Sequence, residues 1–299
     1  MSRHTYRILC RPLGLLVALF FATSCGTRTV TEDPTALLEE GWRSFRLADY
    51  KKALRAFDDV IANPGVPAEQ RWKALHGKAS VWDLRQPVPS QDDELAKKIY
   101  QQIIDEAPQS DIAAWSLLAL ARMIHLVPVG EDPDYPRVRE AYQVVIDAHP
   151  DHLAGQEALI YQQSTLIMTL DPADTSNAIA RLHQFLNEYP QTPFASAAND
   201  LLAQGYETLG NHEQQLEARL RELAALEIDP NSPASADLSW RYWQLATTAE
   251  FLVGRFDIAR TYYQKLIDEY PLDFRKFPSR QAIARMDRVE QSIREEIAP

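Results

Sequence analysis

The segment at residues 254–271 reads GRFDIARTYYQKLIDEYP and contains one amphipathic helix together with the residue that ends it. Ala259, Tyr263 and Leu266 recur three and four positions apart, so they share one helical face. Pro271 cannot continue a helix and pushes the preceding residue out of the α region. The segment therefore predicts a helix with one buried stripe that stops at the proline.

The same arrangement recurs along the chain. Six prolines close such stretches at successive gaps of 44, 42, 40, 40 and 41 residues: Pro64, Pro108, Pro150, Pro190, Pro230 and Pro271. A paired apolar step precedes each proline: Val60-Ile61, Ile103-Ile104, Val145-Ile146, Phe185-Leu186, Leu266-Ile267 and, more weakly, Ala225-Leu226. A period of roughly 20 to 50 residues is the signature of a repeat array.

A second helix is predicted before each stripe. In the third repeat it begins after Ser110, a good N-cap, and runs through Trp115 and Leu118. Each unit is then a helical hairpin of about 40 residues. The prediction is an all-α solenoid of about six hairpins over residues 35–272, with a capping helix over 273–299. Proline-bearing loops are expected inside the second, third and fourth repeats, at 86–90, 127–136 and 171–174.

The first and last copies resemble a tetratricopeptide (TPR) repeat. The residues that carry the resemblance are Gly41, Asp49, Tyr50, Ala53 and Phe57 in the first copy, and Gly254, Phe256, Ala259, Tyr263 and Pro271 in the last. The resemblance implies that the first helices line a concave groove that takes extended or helical peptides. The residues expected to line that groove are Trp42, Phe45, Arg46, Met123, Gln204, Glu207 and Phe251. Trp72, Trp115 and Trp243 are expected in the core, and for Trp42 a core position is an open alternative.

The first 24 residues have the pattern of a secretory signal. Arg3, Arg7 and Arg11 precede an apolar run at 13–22, which is shorter than the roughly 20 residues that span a bilayer. Small residues then lead to Cys25, which resembles the lipobox of bacterial lipoproteins. The resemblance implies that Cys25 becomes the acylated first residue, that residues 25–34 form a tether, and that the protein is anchored at the outer membrane and faces the periplasm. An ordinary signal peptide cut near the same place is the alternative.

The net charge of the chain restricts the classes of partner that it is expected to bind. Removing residues 1–24, which hold three arginines and no acidic residue, moves the net charge from −11 to −14. Nucleic-acid binding needs a concentrated basic face, so it is not expected. One basic cluster lies near the C-terminus: Arg275, Lys276, Arg280, Arg285 and Arg288. It is interpreted as a solvated capping helix or, alternatively, as a docking patch for an acidic partner.

Catalytic signatures are missing from the sequence. It contains no Gly-x-Ser-x-Gly elbow, His-Glu-x-x-His motif or phosphate loop. His149 and His152 superficially resemble a metal pair but have no third ligand nearby in sequence. The sequence therefore predicts neither an enzyme nor a metal site, cofactor or small-molecule substrate.

The expected function is that of a lipid-anchored scaffold for envelope proteins or peptides. The repeat style, including the Tyr-x-x-Leu-Ile-x-x-Tyr-Pro pattern at 263–271, is similar to that of TPR lipoproteins that serve outer-membrane β-barrel assembly. The alternatives are an accessory factor for cell-wall synthesis or for pilus or secretion assembly, and a self-assembling structural protein of the envelope.

Overall fold

The computed structural model describes residues 33–84, 90–128, 130–226 and 237–297. The predicted signal peptide, Cys25, most of the tether and Pro230 lie outside these residues. Within the described ranges the chain is helical and contains no strand.

Six helical hairpins follow one another and a long helix closes the array. The hairpins are α1 (Pro34–Arg46) with α2 (Tyr50–Ala62), α3 (Ala68–Leu84) with α4 (Ser90–Glu106), α5 (Asp111–His125) with α6 (Tyr135–Ala148), α7 (Leu153–Ile167) with α8 (Pro172–Glu188), α9 (Ala195–Thr208) with α10 (His212–Ala224), and α11 (Ser239–Thr247) with α12 (Phe256–Glu269). A π-helical turn, Thr248–Val253, extends α11, and the closing helix is α13 (Lys276–Ile297). The predicted all-α solenoid is confirmed, and Ser110 caps α5 by accepting a hydrogen bond from the Ala113 amide.

Four of the turns inside the hairpins share one backbone feature. In four hairpins the residue two positions before the second helix has a left-handed backbone: Ala48, Leu170, Gly210 and Gly254. Glycine adopts this conformation without cost, whereas a side chain strains it. The loops predicted at 127–136 and 171–174 are shorter in the structure, because Pro136 and Pro172 lie in the first turns of α6 and α8. A proline fits there, since the first amides of a helix have no partner within it.

The buried stripe of each second helix centres on one bulky side chain. Five hairpins place an aromatic residue or leucine there, each at most 1% exposed: Phe57, Tyr100, Tyr142, Leu182 and Tyr263. Burying such a side chain contributes about 1.5–3 kcal/mol. The fifth hairpin departs from this pattern, because the equivalent position, eight residues before Pro230, is Glu222. Glu222 is buried, with its side chain 6% exposed.

The first helices form the inner side of the array. Each of α1, α3, α5 and α7 contacts the next first helix along the chain, while described second helices do not contact one another. Helices that pack closely lie on the shorter side of a curved stack, so the first helices line its concave side. This series of contacts between first helices is interrupted once, because α9 and α11 are not in contact within the described ranges.

Candidate functional site

The N-terminal cavity lies between α1 and α3 on the inner side. It has a volume of about 600 Å³ and is lined by Thr35, Leu38, Glu39, Trp42, Arg43, Arg46, Gln70 and Lys73. The predicted groove residues Trp42 and Arg46 therefore face a common cavity. Three cations line it against one carboxylate, Glu39, although Arg43 is paired with Glu40 and Lys73 with Glu69.

Trp42 belongs to the core and to this cavity at once. Its ring makes edge contacts with Phe45 and with the fully buried Phe57, at centroid distances of 5.6 and 5.4 Å. Phe45 packs on the other side against Tyr50, 6.0 Å away. Met123 packs against the buried cluster of the second hairpin. The structure thus places Phe45 and Met123 against core side chains and brings neither into a described cavity.

Two adjoining cavities occupy the C-terminal half of the inner side. The first, of about 460 Å³, is lined by Ile167, Met168, Leu170, Gln204, Glu207 and Thr208. The second, of about 370 Å³, is lined by Glu207, Gln215, Arg219, Trp240, Trp243, Gln244, Thr247, Thr248, Phe251 and Leu252. Glu207 lies in both walls. The predicted residues Gln204, Glu207 and Phe251 therefore come together in one region, which is separate from the cavity of Trp42.

The opening between the fifth and sixth hairpins is bridged by charged side chains. Arg219 donates to Asp200 and, at 3.0 Å, to Glu222, while Arg241 donates to Glu222 at 2.9 Å. Burial opposes the charge of Arg219, but these hydrogen bonds outweigh it and raise the pKa of the guanidinium. The buried carboxylate of Glu222 needs polar partners, whereas the aromatic ring at the equivalent position of other hairpins does not. Charged side chains therefore occupy the place of the apolar contacts found in the other hairpins.

The π-helical turn shapes the last part of this surface. It leaves Phe251 63% exposed at the cavity wall and turns Glu250 into the interior, where Glu250 accepts from Tyr263 Oη at 2.8 Å. Arg285 of α13 pairs with Glu250 at 2.5 Å, and its guanidinium lies 5.1 Å from the centre of the Phe251 ring. Such π-helical insertions occur frequently at functional sites.

The basic cluster near the C-terminus is partly neutralised within the molecule. Arg275 holds Asp273 at 2.6 Å and also donates to Ser239, and Arg285 is bound to Glu250. The pair lowers the pKa of Asp273 to about 2, since hydrogen bonds from Arg275 favour the carboxylate. Lys276, Arg280 and Arg288 remain as the cations of this cluster without an acidic partner among the described residues.

The histidines of the third inter-repeat turn have structural partners. His152 caps α7 by accepting from the Ala154 amide, and its other ring nitrogen bonds Asp111 at 2.7 Å. His149 lies beside it, with ring centroids 6.1 Å apart. No group of three metal-ligating side chains occurs in the part of the chain that the structure describes. No described helix is both long and apolar enough to cross a membrane.

The architecture defines a class: an α-solenoid of helical hairpins with an interior concave surface. The family model for the tetratricopeptide repeat matches residues 82–110 and 242–273, so the chain contains TPR repeats. These matches fall on the second and last repeats, whereas the residues that resemble the TPR pattern lie in the first and last copies. A solved structure, the Assembly Chaperone of RpL4 (Acl4), is similar at 15% identity and a TM-score of 0.44, covering 89% of this chain and 100% of the other. No curated protein matches the chain.

Sequence reasoning missed two features of the site. The charged bridge at Glu222 was visible as a departure from the aromatic position, eight residues before the proline. The π-helical turn had no such signal, because one extra residue at the end of a helix leaves the apolar spacing of α12 unchanged.

Proposed function

We propose that this protein is a non-catalytic scaffold that binds partner polypeptides on the inner side of its TPR array. The observation that carries the proposal is the row of cavities on the inner side, walled by Trp42 at one end and Phe251 at the other. Phe251 is 63% exposed and Trp42 is half-buried, and aromatic side chains at concave surfaces mark sites of protein interaction.

The location belongs to the proposal as well. The scaffold is held at the outer membrane by acylated Cys25, faces the periplasm and serves the assembly of envelope proteins. The motif at the N-terminus supports this, as does the repeat style that resembles β-barrel assembly lipoproteins. Several acyl chains on one cysteine would hold the domain at the membrane without a basic patch.

Site-specific photo-crosslinking in intact cells tests the binding surface. A photoreactive amino acid replaces Arg46 or Phe251 on the inner side, and Asp59 on the exposed side of α2 is the control. We expect specific envelope proteins to be recovered from the two inner positions and not from Asp59. Barrel-assembly subunits would support the favoured process, and wall synthases or pilus components the alternatives. Equal recovery of envelope proteins from Asp59, or recovery of only the protein's own copies, would refute the proposed scaffold function.

Fractionation tests the anchor separately. Cys25→Ser should move the protein from the membrane fraction to the soluble fraction, and the mature wild-type N-terminal peptide should carry the mass of its acyl chains. An unmodified Cys25 in the mature protein would rule out lipid anchoring and leave the binding surface unaffected.

A further inference from the structure

The two C-terminal cavities form one cleft. They share Glu207, and the second lies where α9 and α11 have separated. Elsewhere consecutive first helices contact each other. The two cavities therefore follow the inner side across the place where the contacts between first helices are interrupted.

Exposed apolar side chains lie on both sides of Glu207. On one side are Met168 and Leu170, which are 59% and 68% exposed, and on the other are Trp240 and Phe251, which are 57% and 63% exposed. Single exposed apolar residues are ordinary, but a contiguous set around a concavity marks a binding surface. Phe251 is held in place, because Arg285 lies over its ring.

Glu207 is the charge that this cleft leaves uncompensated. Arg219 also lines it, but Asp200 and Glu222 neutralise that guanidinium. The charge of Arg285 behind Phe251 is balanced by Glu250. Glu207 is exposed, and its side chain makes no hydrogen bond or ion pair with any of the described residues. A carboxylate between two apolar surfaces is complementary to a cation between two apolar groups.

We infer that the cleft binds a polypeptide segment in which one lysine or arginine is flanked by bulky apolar side chains. The cation pairs with Glu207, and the flanking side chains enter the cavity at Leu170 and the cavity at Phe251. This inference rests on the proposed scaffold function and specifies the partner chemistry at one end of the array. A segment with an acidic residue at the same position would meet Glu207 with like charge and be rejected.

A charge-swap experiment with synthetic peptides tests the assignment. Fluorescein-labelled peptides carry Leu, a central Lys and Leu, with zero, one or two glycines in each gap, and each has a twin with Glu for Lys. Binding to the folded protein is measured by fluorescence anisotropy. We expect the best Lys peptide to bind about tenfold more tightly than its Glu twin, the size of one well-placed charge pair.

Two variants locate the effect. Glu207→Lys should reverse the preference so that the Glu peptide binds more tightly, and Phe251→Ala should weaken both peptides about tenfold. Glu217→Lys is the matched control, because Glu217 is exposed on α10 and lines neither cavity. It makes the same change in net charge and should leave the preference as in the wild type. Circular dichroism confirms that each variant is folded.

The outcomes separate this inference from the scaffold function. An unchanged preference in Glu207→Lys, or equal reversal in Glu217→Lys, would overturn the cleft assignment. Absence of binding by the whole peptide panel, with envelope partners still crosslinked from the inner positions, would also overturn it and leave the scaffold standing. Absence of both peptide binding and crosslinked envelope partners would refute the proposed scaffold function as well.

Discussion

The Phe57 ring fills the space between two helix backbones, and this makes Gly77 a sensitive position. A Cβ atom at Gly77 of α3 would lie 2.4 Å from Phe57 Cζ, and one at Gly41 of α1 would lie 2.5 Å from Phe57 Cε1. The ring is fully buried and also contacts Trp42. It cannot retreat from one glycine without meeting the other, so Gly77→Ala forces the first and second repeats apart.

The magnitude follows from two opposing effects. In an unconstrained helix interior, Gly→Ala increases stability by about 1 kcal/mol. Overpacking a filled core costs about 1–3 kcal/mol, and the upper part of that range applies here because the ring is enclosed on both sides. We therefore expect Gly77→Ala to lower the free energy of unfolding by about 1–2 kcal/mol.

Urea unfolding followed by far-ultraviolet circular dichroism measures this change, and Gly65→Ala is the control. A Cβ at Gly65 would make only an ordinary contact, 3.5 Å from Asn63 Oδ1. Its effect should stay within about 0.5 kcal/mol.

A double variant tests the cause. Phe57→Leu removes part of the ring, so Gly77→Ala combined with Phe57→Leu should be more stable than the sum of the single effects by at least about 1 kcal/mol. Stabilisation by Gly77→Ala alone, or strict additivity in the double variant, would refute the steric explanation.

Four further predictions concern stability. Ala48→Gly should stabilise the protein by about 1 kcal/mol in urea unfolding, because Ala48 has φ 58° and glycine adopts this conformation without strain. Gly155→Ala should destabilise it by about 3 kcal/mol or more in the same assay, since a Cβ there would lie 2.1 Å from the His149 carbonyl oxygen, which is backbone. Arg219→Met should cost about 3 kcal/mol in urea unfolding, because it removes a charged partner from the buried carboxylate of Glu222. Burial lowers the pKa of His76 to about 4. As the pH falls below 6.5, the imidazole of His76 is therefore protonated in the unfolded chain before it is protonated in the folded protein. The free energy of unfolding should fall progressively by about 3 kcal/mol between pH 6.5 and pH 4.

Each of these predictions has a result that contradicts it. Ala48→Gly should not be destabilising, and a loss of less than 1 kcal/mol for Gly155→Ala or Arg219→Met would show that the local structure relaxes around the change. For the histidine, His76→Gln should flatten the fall in stability between pH 6.5 and 4. An unchanged pH dependence in that variant would assign the effect to other groups.

Much of the fold could be predicted because it depends on local spacing. The stripe at Ala259, Tyr263 and Leu266 and the stop at Pro271 are set by residues close in the chain. The predicted groove residues are distributed by tertiary contacts. Gln204 and Phe251 line two cavities that share Glu207, whereas Phe45 packs against the core, because small shifts in helix rotation decide which neighbour a side chain meets.

The ion pairs of the basic cluster near the C-terminus could not be predicted from the sequence either. Five cations near the C-terminus look alike in the sequence, but Arg275 and Arg285 hold carboxylates that come from the neighbouring turn and from the π-helical turn of α11. Glu250 is 35 residues from Arg285, so no local pattern reveals that pair.

The periodic apolar residues and prolines by themselves determined a solenoid of about six helical hairpins, because each hairpin is a local structure that buries its stripe only by stacking on the next. Only the tertiary structure decided where the stack opens and which charges remain free. The separation of α9 from α11, the burial of Glu222 and the exposure of Glu207 all depend on contacts between hairpins. Spacing along the chain sets the period of such contacts but not their distances.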